Sequence, residues 1–142
     1  MASLSQILSN LFGPGKADLG QRVEQPRAYQ IMRRHNPKGL VGVEGRIVCM
    51  IEDYTDPDGR LFRMEYQSTP DGRQANAWVR HNPWGSLQDM HTINGGMICI
   101  GAGVHDSDPA RSPYDLETVI KKARFWCTAI SVYHETGEFP NP

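Results

Sequence analysis

The sequence predicts an α+β domain: an antiparallel β-meander with a helix before it and a long helix after it. Three observations carry this. Two copies of Pro-Asp-Gly-Arg, at 57–60 and 70–73, separate strand-like runs. Those runs alternate apolar and polar residues with period two, as in Phe62, Met64 and Tyr66 against Arg63, Glu65 and Gln67. From Ser112 onward, apolar residues return at helical spacing until Gly137. A chain of 142 residues suits one domain with its own core.

Each element has its own local grounds. Leu4, Ile7, Leu8, Leu11 and Phe12 fall at i, i+3, i+4, i+7 and i+8, one stripe of a short helix over 2–12. Gly13-Pro14-Gly15 ends it, and residues 13–25 read as a polar linker, so the expected division is 1–25 and 26–142. The stripe either docks on its own domain or is offered to a partner groove. Residues 2–12 carry no Lys or Arg, which disfavours a membrane-surface helix. A second helix is expected from Pro26 to His35, stopped by Asn36-Pro37. Strands are expected over about 40–53, 61–67 and 74–80. Each Pro-Asp-Gly-Arg makes a tight turn, with Pro presetting φ and Gly supplying positive φ. Residues 81–96 look irregular, and the run around Cys99 is either a short strand or an extended loop. The last helix is expected to start at Ser112-Pro113, with Ser112 as cap, Pro113 first and Asp115 in the first turn. Leu116, Val119, Ile120, Ala123, Trp126, Cys127, Ile130 and Tyr133 form its buried face.

The composition excludes several functions. A formal net charge of −1 implies no polyanion partner, so no nucleic acid is expected. No apolar run is long enough to span a membrane. The first residues lack the basic start and apolar centre of a secretory signal. Cys49, Cys99 and Cys127 are odd in number and loosely spaced, which predicts reduced thiols in a cytosol. His81, His91, Cys99 and His105 could in principle ligate zinc, but their spacings match no common zinc motif. No metal and no cofactor is expected. No phosphate-binding glycine loop and no Ser-His-Asp signature is present.

The chemistry concentrates at His91-Thr92-Ile93-Asn94-Gly95-Gly96-Met97-Ile98-Cys99-Ile100-Gly101. A cysteine between two isoleucines is either a buried structural thiol or a nucleophile held in a short apolar run. Asn94 is either plain turn chemistry with Gly95 or an amide donor to an oxyanion. His91 either buttresses the cysteine loop by hydrogen bonding or serves as general base. Asp106 and Asp108 either belong to a solvated loop or help deprotonate an incoming amine. Cys49 and Cys127 fall on apolar faces of a strand and a helix and are expected in the core.

The order of elements, and above all two local motifs, resemble the ubiquitin-conjugating enzyme family in its divergent bacterial branch. That branch looks like His, a few variable residues, Gly, one residue, Leu or Ile, Cys, Leu or Ile; here His91, Gly96, Ile98, Cys99 and Ile100. Its crossover helix looks like Trp, apolar residues, then Thr-Gly-x-aromatic; here Trp126, Tyr133, Thr136, Gly137, Phe139 and Pro140. The match covers about residues 91–140. The His-Pro-Asn signature of the eukaryotic members is absent before Cys99, and His81-Asn82-Pro83 has the same letters in another order. The tryptophan usual after the cysteine is also missing. The resemblance implies a ubiquitin-conjugating-like fold. It implies a cytoplasmic enzyme carrying a ubiquitin-like protein as a thioester on Cys99, with Asn94 and His91 as supporting residues. The implied partners are a ubiquitin-like protein, an activating enzyme engaging residues 2–12 and the 26–35 helix, and an acceptor protein, often in antiviral defence. The alternative is a non-catalytic module or adaptor of the same fold that binds a ubiquitin-like protein.

Overall fold

The computed structural model describes residues 25–85, 92–101 and 106–140. The expected 2–12 helix and His91 lie outside the described residues. Helix α1 spans Arg27–His35. Strands β1 (Leu40–Glu44), β2 (Ile47–Thr55), β3 (Leu61–Ser68) and β4 (Ala75–His81) follow, then the two-residue strands β5 (Thr92–Ile93) and β6 (Met97–Ile98). Helix α2 spans Leu116–Thr136. Among the described residues the strands form one antiparallel sheet in the order β1-β2-β3-β4-β6-β5. The α+β class and the meander between two helices are as expected.

Two boundaries differ from the sequence reading. The single strand expected over 40–53 is a hairpin, β1 and β2, paired from Leu40 with Ile51 to Glu44 with Ile47. Its two-residue turn, Gly45-Arg46, passes through φ 58° at Gly45, which only glycine adopts without strain. Val41 and Val43 before the turn and Ile47 and Val48 after it make the run read as continuous. The last helix begins at Leu116 rather than at Ser112-Pro113. Asp115 is its cap, with Oδ1 accepting from Thr118 N–H at 2.8 Å. Ser112 Oγ instead accepts from Tyr114 N–H at 3.2 Å, closing the turn that leads into the helix. A short 3-10 turn, Pro109–Arg111, stands before it.

The Pro-Asp-Gly-Arg turns form as expected. Gly59 N–H donates to Asp56 O, and Gly72 N–H donates to Thr69 O. Asp56 Oδ1 also accepts from the N–H groups of Asp58 and Arg60 at 3.0 and 2.8 Å. Both helices pack on one sheet face. The core joins Ala28, Met32, Met50, Phe62, Met64, Tyr66, Ala77, Leu116, Ile120, Ala123 and Ile130, all at 0% exposure.

A polar cluster ties four elements together inside this layer. Glu52 on β2 is 1% exposed. Its Oε1 accepts from Asn36 Nδ2 at 2.9 Å and Arg124 Nη2 at 2.7 Å, and its Oε2 from the Tyr66 hydroxyl at 2.5 Å. Arg124 Nη2 also reaches His35 O at 3.2 Å, linking the C-terminal end of α1 to α2. A buried charge with this many donors is compensated, and it fixes how the helices meet on the sheet. Burial and the neighbouring Glu52 carboxylate push the Tyr66 hydroxyl well up, so it remains a donor.

Candidate functional site

β6 leaves the sheet at Ile98, and the next three residues hold the candidate nucleophile. Met97, Ile98 and Ile100 are 2%, 1% and 8% exposed, whereas Cys99 is exposed. The apolar neighbours on both sides thus anchor the backbone and leave the thiol in water. Gly101 completes the anchor. A Cβ at this position would sit 2.9 Å from Tyr114 Cζ, so only glycine fits against that ring. Tyr114 packs in turn on the buried pair Trp78 and Met97. Lys122 Nζ lies 4.7 Å from the Tyr114 ring centroid and 3.4 Å from Ile100 O, which brings a cation to the cysteine segment.

The segment before Cys99 is equally constrained. Asn94–Gly96 form a short turn in which Gly95 and Gly96 have φ 73° and 85°. At Gly96 a Cβ would lie 2.7 Å from Val79 O, so the backbone passes directly against β4. Arg80 Nη1 donates to Gly95 O at 3.3 Å, while its Nε donates to Glu65 Oε1 at 3.2 Å. Conformation thus favours glycine at both positions, and close approach demands it at Gly96 as well. Asn94 is placed by its backbone at the head of this turn, and its side chain lies outside what the structure describes.

Cys99 is set apart from the other two thiols by its surroundings. Burial, and then the Glu65 and Glu44 carboxylates, push the Cys49 thiol up to about 12. Burial, then Glu52 and Asp56, raise the Cys127 thiol further. Both are 0% exposed, as expected of core residues, and Cys127 Sγ donates to Met64 Sδ at 3.6 Å. A neutral buried thiol neither attacks nor ligates.

The acidic residues after the cysteine have structural partners. Asp108 Oδ1 accepts from Ala110 N–H at 3.0 Å and starts the 3-10 turn. Asp106 accepts from Asp108 N–H at 2.8 Å and pairs with Arg111 at 3.2 Å. These contacts favour the loop-shaping reading over a role in deprotonation. One residue escaped sequence reasoning. Asn76, on β4, is 0% exposed; its Nδ2 donates to Asp106 O at 2.9 Å, and its Oδ1 is buried with no partner among the described residues. Two residues further along β4, Trp78 pairs with Met97 of β6. An asparagine in an alternating strand carries no signal of this in the sequence.

Of the zinc candidates, His91 and His105 lie outside the described residues. Among the described residues no group of three His, Cys, Asp or Glu is arranged to hold a metal ion. No helix among them is long and apolar enough to cross a membrane. No family model matches the chain, and no curated protein and no solved structure shows a significant similarity to it.

Proposed function

We propose that this protein is a ubiquitin-conjugating-like acyl transferase that carries a ubiquitin-like protein as a thioester on Cys99. The observation that supports this reading best is the contrast among the thiols. Cys99 stands exposed on a backbone anchored by Ile98, Ile100 and Gly101, while Cys49 and Cys127 are buried and held neutral. The motif around His91, Gly96 and Cys99 supplies the family reading.

The chemistry runs in two exchanges. The Cys99 thiolate attacks the thioester carbonyl of the carrier on the activating enzyme. The tetrahedral oxyanion collapses by expelling that enzyme's thiolate, and the acyl group moves to Cys99. An acceptor amine then attacks the new thioester, a second oxyanion forms, and Cys99 leaves as thiolate while the nitrogen loses its proton. Asn94, or the N–H groups of the glycine pair, would donate to the oxyanion. His91 would support the loop.

Charging with an activating enzyme, a ubiquitin-like protein and ATP tests the reading on a non-reducing gel. The expected result is a thiol-sensitive adduct in the wild type, Cys49→Ser and Cys127→Ser, and none in Cys99→Ala. Cys99→Ser is expected to give a thiol-resistant ester or no adduct. An undiminished thioester in Cys99→Ala would refute it.

A further inference from the structure

The chain has four lysines, Lys16, Lys38, Lys121 and Lys122, against eleven arginines. Lys16 lies outside the described residues. Lys121 and Lys122 are neighbours on α2, but their amines go to different places. Lys121 Nζ lies 4.0 Å from Glu117 Oε2, one turn back on the same helix. Lys122 has no acidic residue three or four positions away on either side: those positions are Thr118, Val119, Phe125 and Trp126. Its amine turns instead to Ile100 O at 3.4 Å and to the face of Tyr114, 4.7 Å from the ring centroid. Tyr114 is also the ring against which Gly101 lies. The Lys122 amine is thus held at the two residues that follow Cys99.

Both partners of this pair meet water. Cys99 and Lys122 are exposed, while Ile100 between them is buried. Consecutive Cα atoms are about 3.8 Å apart, so Cys99 and the residue whose carbonyl holds the amine are one step of the chain apart. A lysine tip on its flexible four-carbon stem covers such a step without moving the backbone. At 3.4 Å the contact to Ile100 O is long for a hydrogen bond, so little opposes the swing.

We propose that Lys122 is an acyl acceptor for Cys99: an acyl group held as a thioester on Cys99 passes to Lys122 Nζ and ends as an amide on α2. The proposal rests on the thioester reading of Cys99. The Lys122 ammonium first gives a proton to water, and the neutral amine attacks the thioester carbonyl. The tetrahedral oxyanion collapses, the C–S bond breaks and the C–N bond stays. The nitrogen loses its second proton to water, and Cys99 leaves as thiolate. No oxidant and no further reactant enters. An amine on the same molecule, one side chain's reach from the thioester, meets it at an effective concentration that a lysine elsewhere on the surface lacks. The result is a self-modification that empties Cys99 when no outside acceptor arrives.

Treating the full chain with the acetyl thioester of N-acetylcysteamine, and mapping acetylated lysines by mass spectrometry after reduction, tests the transfer without any carrier protein. Lys122 should acetylate about ten-fold faster than Lys121 or Lys38, both of which are exposed. Cys99→Ser should lower it to their rate. Labelling of Lys122 that equals that of Lys121, that survives Cys99→Ser, or that does not occur overturns the proposal. Charging with an activating enzyme, a ubiquitin-like protein and ATP, with no added acceptor, separates the proposal from the reading beneath it. The wild-type adduct should pass with time from thiol-sensitive to thiol-resistant. Lys122→Arg, which keeps a cation beside Ile100 O and the Tyr114 ring, should hold a thiol-sensitive adduct alone. A thiol-resistant adduct that forms equally in Lys122→Arg overturns the proposal and leaves the thioester reading intact. Absence of any adduct refutes that reading, while Cys99-dependent acetylation of Lys122 would still support the transfer.

Discussion

Cys99 stands out among the three cysteines because its neighbours do the work of holding it. Ile98 and Ile100 face inward and Gly101 lies under Tyr114, so the thiol is displayed by a backbone with few alternatives. The two glycines before β6 offer a graded test of that idea. Gly95 has open space around its missing Cβ, so Gly95→Ala carries only the strain of a left-handed backbone, about 1 kcal/mol. Gly96→Ala adds a clash with the Val79 carbonyl, which cannot move without disturbing β4. We expect Gly96→Ala to be the more destabilising of the two in urea unfolding, and to slow charging of Cys99 beyond Gly95→Ala. Equal effects of the two would mean that the turn is free to shift away from β4.

At the scale of elements, what can be read from sequence depends on how local its cause is. The Pro-Asp-Gly-Arg turns and the Gly137 stop are decided within four residues, and they form where the pattern places them. The β1–β2 turn was hidden because Gly45-Arg46 carries no Pro, Asn or Asp, and another glycine, Gly42, already sits within the same strand-like run. The start of α2 was displaced because Ser112, Pro113 and Asp115 all carry start signals, and tertiary contacts choose among them. Gln74 Nε2 donates to Ala110 O at 2.6 Å and Ala75 N–H to Tyr114 O at 3.0 Å, holding residues 110–114 along β4 in a non-helical path. The helix can begin only after that. Asp115→Ala should therefore lose about 1 kcal/mol of stability, the usual worth of an N-cap, and Asp115→Asn should recover most of it. A larger loss from Ser112→Ala than from Asp115→Ala would restore the earlier start. The candidate site divides in the same way. Cys99 and its glycines were legible as a motif. Asn76 was not, because its partner, the Asp106 carbonyl, lies thirty residues away along the chain.

At the scale of the whole molecule, carboxylates join distant parts of the fold, and this makes stability depend on acid. Burial pushes the Asp56 carboxyl up, but the Ser131 hydroxyl, the N–H groups of Arg60 and Asp58 and the Arg60 guanidinium together hold it below its ordinary 3.8. Through Ser131 it ties the β2–β3 turn to α2, with Oγ donating to Oδ2 at 2.7 Å. Glu117 is lowered by its bonds to Arg34 and His35, tying α2 to α1. Asp71 is lowered by Arg73 N–H and the Thr69 hydroxyl within the β3–β4 turn. All three shifts have the same sign. A carboxylate held below its unfolded value contributes stability that is fully present above that value and is lost as pH falls through the folded one. Unfolding free energy from urea titrations should thus hold steady with respect to these groups near neutrality and drop below about pH 4. Asp56→Asn should be less stable at pH 7, since the amide is a weaker acceptor for Arg60 and Ser131, and should show a shallower fall between pH 4 and pH 2. Glu117→Gln is exposed to water at its site and should change the slope less. A fall as steep in Asp56→Asn as in the wild type would show that other carboxylates set the acid limit of this fold.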